Sequence, residues 1–468
     1  MLLGIAPALT GCFADTEKPD VKIDIPERYR LASGAVDAAV PSLDWWRSFR
    51  SAELTGLIEQ AQTANFDIGV AIGNILQADA AVRTANATLL PTVNLGAGVT
   101  RSQPSNGNVP QIAASVAADR TTISNSLTQA SYVLDFWGQN RANLLQAAEN
   151  SVALRYQKEV VVLTTISNVA NAYFQILASQ DRIRIARDNV AAASRILGLI
   201  RERLNVGTAS TLEVSQQEAL LGTQRASIPP LEIALQQNVI ALALLLAHTP
   251  EHFSVRGGSM NNVTVPKVTP GLPSELLNRR PDIRSAEAAL RSQNRNVEAA
   301  RAAFFPSIAL TSQGGYQSLS LITLFSSPAV FFSLGASGTQ SVFDGGTRLG
   351  ALELARGEQV SAMQTYRKSV VSAFSDVENA LVALQQQATR VRIQIDVVRS
   401  SREAFNISES RLREGTLDLV TLLNTQQTLF QAEDTLAQIR LARLLSVVSL
   451  FQALGGGWPP KVKGDGPS

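Results

Sequence analysis

Two periods of hydrophobic and polar positions run along this chain, and they come in the same order twice. Between Ala52 and about Thr88, Leu54, Leu57, Ile58 and Ala61, then Ile68, Ala71, Ile72 and Ile75, recur at helical spacing, with Asn65 and Asp67 marking a bend between the runs. Pro91 ends that pattern. Val93, Leu95, Ala97 and Val99 then alternate with Asn94, Gly96, Gly98 and Thr100, which predicts a strand with one apolar face. Residues 101–121, with Pro104, Asn106, Gly107, Asn108 and Pro110, read as a long loop. A second strand follows, with Ala130, Tyr132, Leu134 and Phe136 on one face, Gln129, Ser131 and Asp135 on the other, and a break at Val133. From Gln139 to about Asn205 there is no Pro and one Gly, so a single helix on the order of 100 Å is expected, longer than a globular diameter. Such a helix belongs in a coiled coil or a helical tube. Gly207 breaks it, and a return helix runs from about Thr211 to Ile228 and past Pro229 and Pro230 to Ala247, forming a long hairpin.

The second half repeats this order. Leu89-Leu90-Pro91-Thr92-Val93-Asn94-Leu95 returns as Phe304-Phe305-Pro306-Ser307-Ile308-Ala309-Leu310, and Arg203-Leu204-Asn205-Val206-Gly207-Thr208 returns as Arg411-Leu412-Arg413-Glu414-Gly415-Thr416, offset by 208 residues (411 − 203). Residues 248–275, rich in Gly, Pro and Val, read as a connector with short strands. A helix from Pro281 to about Ala303 precedes a third strand holding Ile308, Leu310, Ser312, Gly314 and Tyr316. After a loop from Ser318 to Pro328, Phe332, Leu334, Ala336 and Gly338 alternate with Ser333, Gly335, Ser337 and Thr339 in a fourth. Phe343-Asp344-Gly345-Gly346 opens the second long helix, which turns at Gly415 and returns to about Leu454. The division expected is a signal peptide at 1–11, a tether at 12–50, a first repeat at 51–247, a connector at 248–275, a second repeat at 276–454 and a tail at 455–468.

Short, weakly alternating segments flanked by aromatics and a long loop are the pattern of transmembrane β-strands, and a soluble hairpin is the alternative reading. In lipid every backbone group must be paired, so a sheet of four strands with two open edges cannot span alone. Several chains must therefore contribute to one barrel, and this argument leaves their number open.

Composition changes the picture only at the margins. The net charge of +2 creates no field that favours nucleic acid, and 17% charged residues falls below the roughly 25% of soluble domains. No apolar run reaches the ~18 residues of a spanning helix. Leu9-Thr10-Gly11-Cys12 follows a short apolar segment and resembles a bacterial lipobox, in which the Cys thiol takes a lipid. Phe13 after that Cys fits export to the outer membrane, and Trp45, Trp46 and Phe49 can dock the end of the tether onto a folded body.

Two rival chemistries meet obstacles. His248-Thr249-Pro250-Glu251-His252 matches an H-x-x-E-H zinc pattern, but that chemistry needs both His on one helical face, Pro250 should stop the helix, and the chain has no third His. Arg279-Arg280 suggests phosphate binding, yet Asp282 and Glu287 are near enough in sequence to pair with them. A soluble coiled-coil scaffold explains the long helices but neither the four strands nor Cys12.

The chain resembles the TolC/OprM-like outer membrane efflux proteins, and within them the NodT-type lipoproteins. The residues that carry the resemblance are the lipobox ending at Cys12, Trp45-Trp46 with Phe49, Arg279-Arg280-Pro281-Asp282-Ile283 with Ala286-Glu287, the transitions at Pro91 and Pro306, Phe343-Asp344-Gly345-Gly346, and the two Gly-Thr turns. The resemblance implies a homotrimer with a 12-strand barrel in the outer membrane, continued by a periplasmic α-helical barrel with a small equatorial domain. It implies a passive exit duct for small molecules such as drugs, working with a periplasmic adaptor protein and an inner-membrane proton-driven pump, with no enzymatic activity and no cofactor. Type I protein secretion is the alternative. The family's usual acidic gate positions fall on the neutral Thr421 and Asn424, with Asp418 nearby, and Glu213 falls where related sequences often carry an acid in the first repeat. A solvated helix-end residue is the plain reading of each, and an Asp at a helix start also complements the dipole. Val206, Gly207 and Thr208, with Glu414, Gly415 and Thr416, are the implied adaptor-docking turns, where Gly also permits a left-handed conformation.

Overall fold

The computed structural model describes residues 26, 28–30, 42–102, 121–268, 271–456 and 458. Cys12, the expected signal segment, most of the tether, most of the loop expected at 101–121 and the end of the tail lie outside the described residues. The helices are α1 (Ala52–Ala64), α2 (Phe66–Ala87), α3 (Gln139–Asn205), α4 (Thr211–Ala226), α5 (Ile228–Leu245), α6 (Pro273–Arg279), α7 (Pro281–Ala302), α8 (Thr347–Arg413) and α9 (Leu419–Ala453). The strands are β1 (Thr92–Ser102), β2 (Thr121–Leu134), β3 (Ser307–Ser318) and β4 (Val330–Thr339). α3 and α8 have 67 residues each, so the two copies carry helices of equal length.

The helix expected over 52–88 is two helices. Asn65 is extended at ψ 132 and separates α1 from α2. Its side-chain oxygen accepts hydrogen bonds from the amides of Asp67 (2.9 Å) and Ile68 (3.2 Å), capping α2, while its amide nitrogen donates to the Leu245 carbonyl at 2.8 Å. The connector differs more. Residues 248–268 form 3-10 turns at Pro250–His252 and Met260–Asn262 rather than strands. Their amides go to side chains of other elements: Arg256 and Gly257 donate to the Glu53 carboxylate, Gly258 to Gln180 and Met260 to Asp181. Pro250 opens the 3-10 turn, so His248 and His252 share no helix, and His248 lies 2.5 Å from the Gln60 side chain. Three helical stretches, Gln139–Asn205, Thr211–Leu245 and Leu419–Ala453, are long and apolar enough to cross a membrane by length and composition, contrary to the expectation from uninterrupted runs. Each holds an 18-residue window that is apolar on average although scattered polar residues interrupt its runs.

The chain divides into two compact units. One holds Ile75–Ala153 and Ala286–Thr365, the other Lys22–Asn74, Leu154–Ser285 and Tyr366–Ser468. The first contains the sheet, antiparallel in the order β1-β2-β3-β4. Pro91 and Pro306 precede β1 and β3, as the patterning predicts. Trp137 stacks on Phe305 at 4.7 Å and donates from Nε1 to the Pro306 carbonyl at 2.8 Å. Asp135 caps the start of α3 through the amides of Asn140 (3.0 Å) and Arg141 (2.8 Å), and Asp344 does the same for α8 through those of Gly346 (3.0 Å) and Arg348 (3.3 Å).

The core of the second unit gathers on the segment before α1. Trp45, Trp46 and Phe49 lie in a 3-10 turn at 1%, 2% and 0% exposure, so this segment is docked as its aromatics predict. Trp45 stacks on Phe451 of α9 at 4.8 Å, and Phe49 meets Phe174 of α3 at 5.0 Å. Leu54, Ile58, Ile166, Leu242 and Val447 fill the same cluster. Arg280 is the principal charged node. It pairs with Asp282 at 2.6 Å and Asp376 at 2.9 Å and donates to the Ala453 carbonyl at 3.2 Å, while Arg279 pairs with Glu275 at 3.0 Å and Glu287 with Arg291 at 3.0 Å. Asp282 thus pairs with Arg280 as the sequence suggests, whereas Arg279 is taken by Glu275 and Glu287 by Arg291, so Glu287 does not serve the Arg279-Arg280 pair as expected.

Candidate functional site

Two surfaces carry the functional argument, one in each unit. In the sheet, register decides which side chains share a face. Asn94 stands opposite Gln129, Gln129 opposite Gln313, and Gln313 opposite Ser333, so one polar row crosses all four strands. Leu95, Thr128, Gly314 and Phe332 form the neighbouring row on the other face. The apolar positions picked out by alternation share that second face because side chains of adjacent positions point to opposite sides. It is uncovered: Leu95 is 80% and Phe332 81% exposed, and Leu334, Val93 and Val330 are exposed beside them. In water so wide an apolar face would be unfavourable. The outer edges of β1 and β4 have no strand partner among the described residues.

The second surface is the pair of helical turns. Each ends its long helix in the same Schellman motif. Gly207 has φ 75 and Gly415 φ 71, both left-handed. The Gly207 amide donates to the Leu204 carbonyl at 3.0 Å and the Thr208 amide to the Arg203 carbonyl at 2.8 Å; Gly415 donates to Leu412 at 3.1 Å and Thr416 to Arg411 at 2.9 Å. Thr208 and Thr416 add hydroxyl bonds to the Arg203 and Arg411 carbonyls at 3.1 and 3.2 Å. Val206, Gly207, Thr208, Glu414, Gly415 and Thr416 are all exposed. Beneath the turns, Ile196, Ile200, Phe405, Leu412, Leu419, Leu422 and Phe430 form a packed cluster.

The return helices start with caps in which acid and hydroxyl have changed places. In α4, Ser210 is the N-cap and accepts from the Glu213 amide at 3.3 Å, while the Glu213 carboxylate accepts from the Ser210 amide at 2.6 Å, a capping box. In α9, Asp418 is the N-cap, and its carboxylate accepts from the Thr421 amide at 2.9 Å and the Thr421 hydroxyl at 2.7 Å. The Thr421 amide, followed by its hydroxyl, holds the Asp418 carboxyl below the usual carboxylate range. Both predicted acids are therefore engaged in capping. Asn424 lies one turn further along α9 and is exposed, as are Asp418 and Thr421. Thr421, Asn424, Thr428, Gln431, Thr435 and Gln438 recur at steps of three and four, so they share one face of α9, and none carries a charge.

Sequence reasoning missed three features of this region. Gln217 and Gln426 are fully buried, and Gln217 donates to the Ala193 carbonyl at 2.9 Å. Nothing in the runs Ser215-Gln216-Gln217 and Thr425-Gln426-Gln427 distinguishes the buried glutamine from its neighbour. The third is Arg203, which donates from Nη1 to the Leu412 carbonyl at 3.1 Å and from Nη2 to the Thr208 carbonyl at 3.3 Å, tying one turn to the other. The signal for it was the repeated Arg-Leu before each turn.

Comparison with known proteins places this geometry. The family model described as outer membrane efflux protein matches residues 57–248 and 272–456. The pyoverdine export outer membrane protein OpmQ of Pseudomonas putida is 35% identical over 458 residues, covering 98% of this chain and 97% of that protein. The probable efflux pump outer membrane protein TtgC of Pseudomonas putida is 30% identical over 425 residues, covering 91% of this chain and 87% of that one. Among solved structures, the outer-membrane channel OprN superposes with a TM-score of 0.87 at 26% identity, covering 95% of this chain and 98% of that chain.

Proposed function

We propose how this chain does its work from the premise that it belongs to the outer membrane efflux protein family. It is an outer-membrane efflux channel, a passive exit duct rather than an enzyme, and its working unit is a trimer. Three sheets join β4 of one copy to β1 of the next, which leaves no open edge in the bilayer. The face bearing Leu95 and Phe332 meets lipid, and the row Asn94, Gln129, Gln313 and Ser333 faces the lumen. The observation that carries this reading is the register, which segregates an exposed apolar face from a polar one across two unpaired edges. Subunit contacts cover much of the exposed apolar surface of Leu212, Ile233, Ile240 and Leu244 on α4 and α5.

The remaining assignments follow from that premise. Residues 1–11 are a signal peptide, Cys12 carries a lipid that anchors the chain to the outer membrane, and residues 12–50 are its tether. Residues 51–247 and 276–454 are the two repeats, joined through 248–275 in an equatorial domain, and 455–468 are a tail. The turns at Val206-Gly207-Thr208 and Glu414-Gly415-Thr416 dock a periplasmic adaptor, which connects the duct to an inner-membrane pump that supplies the energy. Three copies of the neutral face from Thr421 to Gln438 give a constriction of hydroxyls and amides, with Glu213 and Asp418 at its rim as capping groups.

The cargo is a small molecule. Similarity over nearly the full length to a pyoverdine export protein favours a secreted iron chelator within that class. The test is a deletion strain assayed for dye and drug accumulation, for iron-chelating activity in the culture fluid and for secreted proteins. Accumulation that rises, or chelator that stays inside, and is restored by the wild-type gene supports small-molecule export. Loss of a secreted protein with accumulation and chelator unchanged refutes it in favour of type I secretion.

A further inference from the structure

The connection between β3 and β4 is apolar where a loop that faces water is ordinarily polar. It lies at the end of the sheet away from the helices, since Pro306 leads from α7 into β3 and Thr339 leads from β4 toward α8. No Asp, Glu, Lys or Arg stands between Arg301 and Asp344. Within the connection Leu319, Leu321 and Phe325 are exposed, and Ile322 is 95% exposed. The segment is nevertheless folded. Two 3-10 turns, Leu321–Thr323 and Ser327–Ala329, shape it, and Leu324 and Ala329 are buried. A lobe that buries these two while holding four larger apolar side chains outward presents an interaction surface.

Register shows on which side of the sheet this lobe lies. Tyr316 stands opposite Ser126 and Val330, so it shares the face of Leu95, Gly314 and Phe332. Phe325 meets the Tyr316 ring edge-on at 5.4 Å. Ser318, of the same parity, has its hydroxyl 2.6 Å from that of Thr323. Both contacts draw the connection over the apolar face and away from the polar row of Gln313 and Ser333. Its backbone suits a medium without water, where every polar group needs an internal partner. The amides of Ser320 and Ile322 donate to the hydroxyls of Ser318 and Ser320. Those of Thr323, Leu324, Ser326 and Ala329 donate to carbonyls within the connection. Strand length sets the depth. β3 has 12 residues and β4 has 10, against about 9–11 for a tilted strand that crosses the hydrocarbon, so the connection stands at the outer boundary of that layer.

We propose that residues 319–329 are a membrane-contacting lobe, which places Leu321, Ile322 and Phe325 among the acyl chains at the outer boundary of the bilayer. This rests on the reading above that the face bearing Leu95 and Phe332 meets lipid. Continuity with that face selects lipid as the occupant, and the lack of charge between Arg301 and Asp344 removes the cost of bringing an ion to hydrocarbon. Three copies set a ring of lobes around the mouth of the duct and fix its height in the bilayer.

The experiment uses the full-length trimer in phosphatidylcholine vesicles. Ile322→Cys carries a thiol-linked fluorophore, at a side chain whose exposure makes the substitution harmless to folding. Leu334→Cys is the reference for the lipid face, Gln313→Cys for the polar face, and the unsubstituted protein is the blank for Cys12. Phosphatidylcholine brominated on its acyl chains quenches from the membrane, and iodide quenches from water. The expected result is lipid quenching at Ile322 comparable to that at Leu334 and several-fold above that at Gln313, with little effect of iodide. Lipid quenching at Leu334 with only iodide quenching at Ile322 overturns the lobe and leaves the barrel standing. Shielding of Ile322 from both quenchers overturns it in favour of cover by a neighbouring copy of the chain. Absence of lipid quenching at Leu334 overturns the lipid-facing reading and the lobe with it.

Discussion

Gly315 offers a sharp test of the sheet as the unit that makes the barrel. It lies in β3 opposite Leu127 of β2. A methyl group built there would stand 2.1 Å from the Ser126 carbonyl oxygen and 2.7 Å from the Leu127 Cα. Ordinary contact begins at 3.4 Å, and both obstacles are backbone, so no rotamer relieves them. The strands must part by about 1 Å, enough to break the ladder bonds on either side of the pair. Two lost backbone bonds at about 1–3 kcal/mol each put the cost of Gly315→Ala at about 2–6 kcal/mol, toward the upper end in lipid, where water cannot replace them. Position matters as much as magnitude. β1 and β2 come from the first repeat and β3 and β4 from the second, so the β2–β3 seam alone joins the two hairpins within the sheet.

The adjacent residue is the control. A methyl at Gly314 would meet the Phe331 carbonyl at 3.7 Å and the Phe332 Cβ at 3.9 Å, both ordinary contacts. Gly314→Ala is therefore expected within about 0.5 kcal/mol of the parent. The assay is the yield and heat stability of trimers on unheated gels of outer-membrane fractions. Equal yield and equal melting of the two variants would refute the claim that backbone contact at Gly315 sets the spacing of the seam.

Substitutions at three further positions test the second unit. Arg280→Met strips the guanidinium, with its side chain 12% exposed, from Asp282 and Asp376 and should cost about 2–4 kcal/mol in thermal unfolding of the purified trimer; Arg280→Lys should recover little, because an ammonium cannot serve the three acceptors with one planar fork. Trp45→Ala removes a side chain buried to 1% exposure and stacked on Phe451, and a loss of about 3–5 kcal/mol is expected by the same measurement. Asp418 has a folded-state pKa below the unfolded value, so its contribution is present above the ordinary carboxylate range and fades as pH falls through the depressed value. Asp418→Ala should accordingly speed amide exchange over Leu419–Leu422 at neutral pH and change little once the wild-type carboxyl is protonated; equal effects at both pH values would sink the cap assignment.

Much of this architecture was legible because it depends on local pattern. Strand parity follows from alternation, so Val93, Leu95, Phe332 and Leu334 could be placed on one face before any register was known. The ends of α3 and α8 follow from Gly207 and Gly415, and those of α2 and α7 are marked by Pro91 and Pro306, residues that act on their own backbone. What was not legible depends on partners distant in sequence. The connector lacks strands because Glu53, Gln180 and Asp181 take amides that a ladder would have used. Arg203 lies 209 residues from the carbonyl it reaches. The first relation leaves no trace in spacing, and the second leaves only the repeated Arg-Leu before each turn. The break at Asn65 is intermediate: its residue type marked a bend, but the cap itself depends on the Leu245 carbonyl, which fixes the side chain.

The exchanged caps show how the duplicated halves diverged without losing a helix start. At the offset of 208, Ser210 matches Asp418 as N-cap and Glu213 matches Thr421 three residues on. Each copy keeps one carboxylate and one hydroxyl, displaced from each other by a turn. If capping sets these residues, the pairs are interchangeable and the single changes are not. Ser210→Asp alone puts two carboxylates at one helix start, and Glu213→Thr alone leaves the cap without its acid; each should cost about 0.5–1 kcal/mol. The double variant rebuilds the second-repeat cap in the first repeat and should return to within about 0.5 kcal/mol of the parent, a coupling close to the sum of the two losses. Amide exchange over Thr211–Val214 in the intact trimer measures all three. A double variant as frayed as the two single changes combined would mean that the Glu213 carboxylate is held at its position by something other than the helix start, and would return it to the gate as a free charge.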